Sequence, residues 1–159
     1  MKDFAGKNLL RRLDVGGKLV YSAFLLFAAG GLLTAALLHG DGMGSTAASA
    51  GTYWTGDESG MVYPKSYRQI LELTHFHLFT EPVTFLVVAH LYNLGSGPVR
   101  RRAVITALTI LAMGVQIALP WLVVYGSVAF SVLFIPAHAL LLAGLLWMSF
   151  AALWEMWRP

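Results

Sequence analysis

The sequence predicts an all-α fold, a four-transmembrane-helix bundle with both termini in the cytoplasm. The first observation is the composition: of 159 residues, 57% are hydrophobic and 12% are charged, whereas a soluble domain carries about 25% charged residues. The second is the presence of four long apolar runs. The third is the uneven distribution of basic residues around those runs. Together these observations predict a single integral membrane domain over residues 1–159.

Each apolar run is long enough to cross a bilayer, which takes about 20 mostly apolar residues. Apart from the outer loop at 40–72, the connections are short, and the predicted spans are residues 19–38, 73–94, 103–124 and 128–153. The first run is longer than the apolar core of a signal peptide, which has about 7–15 residues. We therefore expect it to remain as a helix, although "STAASAG" at 45–51 is similar to a signal-peptidase site.

The basic residues predict the orientation. Nine of the 11 lysines and arginines precede the first span, lie between the second and third spans, or follow the fourth: Lys2, Lys7, Arg11, Arg12, Lys18, Arg100, Arg101, Arg102 and Arg158. Only Lys65 and Arg68 lie in the outer loop. The excess of basic residues marks the cytoplasmic side, so we expect a multi-pass protein of a bacterial inner membrane with both termini inside.

The segments next to the spans contain weaker signals. The 40–72 loop is rich in glycine, serine, threonine and alanine and is expected to be irregular, with Tyr53, Trp54 and Tyr63 available to meet a partner domain. At its end, Ser66 and Gln69 have the spacing of a capping box, so the second helix is predicted to begin near Ser66. Residues 7–18 predict either a short amphipathic helix on the inner surface or a solvated leader.

Several classes of site are excluded by composition. The chain has no cysteine, which excludes disulfides, zinc–thiolate sites, iron–sulfur clusters and covalent attachment of c-type haem. It also lacks a nucleophile elbow, an H-E-x-x-H motif, a phosphate loop and a basic aromatic patch for nucleic acid.

Polar residues inside the spans are the candidates for function, because such groups are rare and normally face the bundle interior. Counting from the basic end at about 1.5 Å per residue places His39, His75 and His77 in one outer layer. Three further residues fall roughly one turn below, namely Glu81, Gln116 and His138. His90 is alone in the inner half, and its role stays open.

Helical rotation separates the two histidines of "ELTHFHLFTEP", residues 72–82. At about 100° per residue, His75 and His77 point in directions about 200° apart, whereas His77 and Glu81 share a face. One ring is expected to face His138 on the fourth helix and the other His39 on the first.

The leading hypothesis for these histidines is haem b, because neutral imidazole is a good axial ligand for haem iron. A haem in a helix bundle needs two histidines at similar depth on different helices. His77 with His138 is the first predicted ligand pair and His39 with His75 the second, which allows one or two haems. Small residues that leave space and aromatic residues that can pack against a macrocycle lie nearby: Gly30, Gly31, Ala35, Ala36, Ala137, Ala139, Ala143, Gly144, Phe76, Phe79, Phe85, Phe134 and Trp121.

The short chain, its four spans and the histidines near their outer ends resemble small membrane-embedded b-type cytochromes. The resemblance implies electron transfer between quinol and a periplasmic partner such as a cytochrome, as part of an oxidoreductase complex with other subunits. A symmetric two-haem bundle would need two ligands on each of two helices. The fourth span departs from this, because it has His138 alone.

Three alternatives stay open at this point. His39, His75 and His77, with Glu81 or Asp41, predict a copper or zinc site if the chain near His75 is extended. Glu81 predicts proton or quinone chemistry, because burial in a membrane favours its protonated form. The chain is otherwise a structural or accessory subunit of a larger membrane complex, in which these side chains bond only to one another.

Overall fold

The computed structural model describes residues 9–158. Apart from two 3-10 turns, Leu10–Arg12 and Val128–Leu133, and one isolated β-bridge between Asp57 and Val62, the regular structure there is α-helical. The helices are α1, Val15–Met43; α2, Ala47–Thr55; α3, Tyr67–Asn93; α4, Val99–Tyr125; and α5, Phe134–Trp157. No strand occurs among these residues, so the predicted all-α class is confirmed.

Three helices of the described chain are long and apolar enough to cross a membrane, not four as predicted. They are α1, α4, and α5 together with the 3-10 turn before it. Helix α3 has 27 residues, the same number as α4, and is therefore roughly 40 Å long at 1.5 Å per residue. Its charged and histidine side chains, which include Arg68, Glu72 and Glu81, lower its hydropathy.

The starts of the long helices follow from their capping residues. Ser66 accepts from the backbone N–H of Gln69, while the Gln69 side chain accepts from the N–H of Ser66, so the predicted capping box is confirmed. Asp14 accepts from the N–H of Gly17 at 2.6 Å and starts α1.

Between residues 9 and 14 the structure has only a 3-10 turn, and the first two residues of the predicted 7–18 helix lie outside the described part of the chain.

The outer loop is more ordered than its composition predicts. Thr46 and Ser49 form a second capping box that starts α2, so the expectation of irregular chain is wrong for residues 47–55. Trp54 is only 2% exposed, because its ring stacks on Phe134 at 5.8 Å and its Nε1 donates to Met43 Sδ. Trp54, one of the aromatic residues predicted to meet a partner, therefore packs inside the protein. Tyr63, another of them, is 86% exposed.

Two groups of buried side chains form the core. One lies toward the basic end of the bundle, around Leu25, Val88, Leu145 and Met148. The other lies under α2, with Trp54, Ile70, Leu119 and Phe134. Helices α4 and α5 pack closely at Gly144, where a Cβ atom would clash with Thr109 Oγ1.

Large apolar side chains cover the outside of the long helices. On α1, Phe27 is 82% exposed, and Leu37 and Leu38 are each 73% exposed. A soluble protein rarely exposes so large an apolar surface. These side chains therefore face lipid, as expected for a multi-pass membrane protein.

Candidate functional site

A cavity of about 520 Å³ lies among α1, α3, α4 and α5, and α2 lines one end of it. This volume falls within the range of about 300–1,000 Å³ that is typical of small-molecule sites. Most of its lining is apolar and comes from both core groups, for example Leu32, Phe134 and Leu145. The histidine, carboxyl and amide side chains that line it are those of His39, His77, Glu81, Gln116 and His138.

His77 and Glu81 form the closest polar contact in the cavity. They are one turn apart on α3, and His77 Nδ1 lies 2.6 Å from Glu81 Oε1. The contact does not meet hydrogen-bond geometry. A carboxylate on Nδ1 favours the tautomer with its proton there and leaves Nε2 as the ligand atom, as in many metal-binding histidines.

His138 on α5 meets His39 on α1 across the cavity. The two rings stack with centroids 4.1 Å apart and an interplanar angle of 14°. Both ring nitrogens of His138 are buried, and neither has a hydrogen-bond partner in the described protein. Stacking therefore positions the His138 ring and leaves its two nitrogens available.

Unpaired polar atoms accumulate in this cavity. Besides the His138 nitrogens, Glu81 Oε2 and Gln116 Oε1 are buried without a partner among the described residues. Such an atom costs about 1–3 kcal/mol, and native proteins contain few of them. Several in one cavity indicate polar groups that bond to buried water or to a bound molecule.

The structure brings together most, but not all, of the predicted site residues. His77, Glu81, Gln116 and His138 share the cavity with His39. His75 is exposed on the other side of α3, with its ring 5.0 Å from that of Phe79. The pair of His39 with His75 is therefore not formed, and the ring that His39 meets is that of His138. His90 is also exposed.

Sequence reasoning missed the contribution of α2, whose Tyr53 and Trp54 line one end of the cavity. The spacing of Thr46 and Ser49 was the available signal, since it matches that of a helix N-cap and the residue it bonds. Trp121 was expected to pack against a macrocycle, but its Nε1 donates to Thr74 Oγ1 at 2.8 Å and so ties α4 to α3.

A multi-ligand metal site is not found in the described part of the chain. No three His, Cys, Asp or Glu side chains lie close enough there to hold an ion. The alternative built on His39, His75 and His77 fails because His75 points away from the other two. A haem iron differs, since the macrocycle supplies four of its ligands and the protein only the axial ones.

Residues 44–159 match a family model described as a transmembrane helical domain. The chain belongs to this transmembrane helical domain family. The matched part begins after α1. It contains His77, Glu81, Gln116 and His138 of the cavity, whereas His39 precedes it. No curated protein and no solved structure matches the chain. Membership supports a membrane-embedded helical protein and names no cofactor.

Proposed function

We propose that the protein binds haem b in this cavity and transfers electrons in the membrane, as a module or subunit of a redox complex. One observation supports this most directly: His77 and His138, on α3 and α5, line the same largely apolar cavity. His138 has no partner on either ring nitrogen, and His77 has a carboxylate at Nδ1. These are the properties expected of two axial ligands.

The residues around the pair fit a flat, apolar group. Gly31 and Ala35 on α1 are small and leave space along one wall of the cavity, while Phe76 and Phe134 supply aromatic surface. A bound haem would supply one-electron chemistry at its iron. We assign one haem per chain, because within residues 9–158 this is the cavity in which histidines of different helices meet.

Glu81 is proposed to position His77 and to hold a proton beside it. Its Oε1 contacts the histidine, and its Oε2 is buried and unpaired within the described chain. Gln116, on α4, presents another unpaired oxygen to the same cavity. A carboxyl group and an amide at this position also suit the hydroxyl groups of a quinol, the electron donor that we infer for the site.

The proposal includes α3 as a fourth span, with both termini in the cytoplasm. Helix α3 packs against α4 and α5, and its length of 27 residues equals that of α4. The basic residues Arg11, Arg102 and Arg158 lie at the end of the bundle where α3 ends and α4 begins. In this orientation α2 and the cavity lie near the periplasmic face, where a cytochrome or another subunit would accept electrons.

The test is a reduced-minus-oxidised absorption spectrum of the full chain in detergent, reconstituted with haem. His77→Ala and His138→Ala are each expected to abolish the α and Soret bands or to lower haem occupancy at least roughly tenfold. His75→Ala and His90→Ala are matched controls, because both histidines are exposed on the same helix.

A folded wild-type protein that shows no bands after reconstitution would refute the haem assignment. Co-purification of other subunits with such a protein would then favour a structural role in a larger complex. Equal loss of the bands in the His75 and His90 controls would show that the cavity histidines are not the specific ligands.

A further inference from the structure

A second pocket lies at the basic end of the bundle and has a volume of about 440 Å³. It is formed by the end of α3, the turn at residues 95–97, the first turn of α4 and the last turns of α5. None of its lining residues lines the cavity of His77 and His138. Its chemistry is therefore independent of the proposed haem site.

Positive charge dominates this pocket. Arg101, Arg102 and Arg158 line it together with a single carboxylate, that of Glu155. Glu155 is 7% exposed. Ser96 Oγ donates to its Oε2 at 3.0 Å, and the Nε atoms of Arg11 and Arg158 lie 3.4 Å from Oε1 and 3.7 Å from Oε2. The charge of Glu155 is thus offset by Arg11 and Arg158.

In the described part of the protein, the positive charges of Arg101 and Arg102 are not offset by a carboxylate in this way. No carboxylate of the described chain lies within 4.0 Å of either guanidinium. Arg102 donates from Nη1 to the carbonyl of Gly95, while its buried Nε has no partner there. Both arginines also lie in the first turn of α4, where the helix dipole is positive and no acidic residue offsets it.

A buried hydroxyl group provides an independent sign of a ligand. Tyr92 is 4% exposed and lines the pocket, and its hydroxyl has no hydrogen-bond partner in residues 9–158. Such a group costs about 1–3 kcal/mol unless something bonds to it. Arg101 and Arg102 line the same pocket, so an anion that accepts hydrogen bonds would suit both the hydroxyl and the two guanidinium groups.

The other side of the pocket is apolar and opens toward lipid. Trp147, Phe150 and Trp154 line it and are exposed, and the rings of Phe150 and Trp154 stack at 6.3 Å. Tryptophan is enriched at the level of lipid headgroups in membranes. An anion that occupies this pocket therefore has an apolar surface next to it for an acyl chain.

We propose that this pocket binds the phosphate group of an anionic phospholipid from the adjoining leaflet. Arg101, Arg102 and the Tyr92 hydroxyl hold the phosphate oxygens, and Trp147 and Phe150 pack along the glycerol and the first part of an acyl chain. Basic pockets between helices at a membrane surface are suited to such headgroups. A free phosphate ion would use the arginines but not the aromatic wall.

The experiment measures thermal unfolding of the full chain in neutral detergent. Phosphatidylglycerol, phosphatidylcholine and inorganic phosphate are added separately, since a ligand that binds the folded state raises the unfolding midpoint with its concentration. We expect phosphatidylglycerol to raise the midpoint and the other two to leave it unchanged. An equal rise with inorganic phosphate, or with phosphatidylcholine, would overturn the lipid assignment.

Two double variants distinguish binding of the lipid in the pocket from general attraction of an anionic lipid to a basic surface. Arg101→Gln with Arg102→Gln is expected to weaken the effect of phosphatidylglycerol roughly tenfold or more. Arg12→Gln with Arg100→Gln removes the same charge from exposed residues outside the pocket and should keep the effect. Equal weakening in both double variants would overturn the proposal.

A conservative variant covers the case in which the arginine variants fail to fold. Tyr92→Phe removes the unpaired hydroxyl and keeps the ring. Without lipid, its unfolding midpoint is expected to equal or exceed that of the wild type, because a buried unsatisfied group is lost. The rise produced by phosphatidylglycerol should shrink, and a rise of wild-type size would contradict the role of Tyr92.

Discussion

At the scale of single residues, the contact of Glu81 with His77 is the most specific feature of the cavity. Glu81→Gln keeps the shape of the side chain but replaces the carboxyl group that contacts His77 Nδ1 with an amide, which is a weaker hydrogen-bond acceptor. We expect haem affinity to fall by about 10- to 100-fold, as is typical when the partner of a metal-binding histidine is lost. Titration of the protein with haem in detergent measures this.

Glu72→Gln is the control for Glu81→Gln. Glu72 lies on the same helix but is exposed, and it pairs with Arg68 at 2.8 Å outside the cavity. Its substitution should leave haem affinity unchanged. If Glu81→Gln also binds haem as the wild type does, Glu81 does not position His77.

His39 gives a second prediction at this scale. Because its ring stacks on that of His138, we expect His39→Phe to preserve the stacking and therefore the haem spectrum. His39→Ala should lower the unfolding midpoint, because the stacked contact is lost. Complete loss of the bands in His39→Phe would instead assign His39 as an axial ligand in place of His77 or His138.

The residues of the cavity were only partly predictable from the sequence. Depth and helical rotation group His77 with Glu81, and they place Gln116 and His138 in the same layer, because these quantities depend on residue spacing alone. The stack of His39 on His138 was not predictable, since α1 is apolar on nearly every side. Its hydropathy therefore contains no information about which face meets α5.

At the scale of helices, the close approach of α4 and α5 at Gly144 predicts a strong effect of one methyl group. Gly144→Ala would push a Cβ into Thr109 Oγ1 and within 3.2 Å of Thr109 Cβ. Overpacking of this kind costs about 1–3 kcal/mol. The free energy of unfolding in detergent should fall by that amount, and Thr109→Ala in the same chain should restore part of it.

Gly114→Ala is the matched control for Gly144→Ala. Gly114 is also inside a long helix, but no atom lies within 4 Å of the position its Cβ would take. Alanine there should be neutral or stabilising, because it has the higher helix propensity. Destabilisation equal to that of Gly144→Ala would show that helix packing at Thr109 is not the cause.

Hydropathy alone does not predict where a helix begins and ends. The first span was predicted at 19–38, whereas α1 runs from Val15 to Met43, since a helix continues past the apolar residues until a cap ends it. For α3, the capping box at Ser66 gave the start correctly. Helix α2 was missed because its glycine, alanine and serine residues are as common in irregular loops.

At the scale of the whole molecule, the two candidate sites lie at opposite ends of the bundle. The cavity lies under α2, whereas the second pocket lies where Arg11, Ser96 and Arg158 converge on Glu155. A polar cluster at each end and an apolar exterior between them are what a protein that crosses both leaflets requires. In the proposed orientation, the proposed haem cavity lies toward the periplasm and the proposed lipid pocket toward the cytoplasm.

This orientation can be tested directly, because the chain has no cysteine of its own. Ser45→Cys, between α1 and α2, and Val99→Cys, at the start of α4, each introduce a single thiol at an exposed position. If α3 crosses the membrane, the two positions lie on opposite sides. A membrane-impermeant maleimide added to cells with a permeable outer layer should then label Ser45→Cys at once and Val99→Cys only after the inner membrane is opened. Labelling of both from the same side would show that α3 does not span, and labelling of Val99→Cys alone would invert the bundle and place the haem cavity near the cytoplasm.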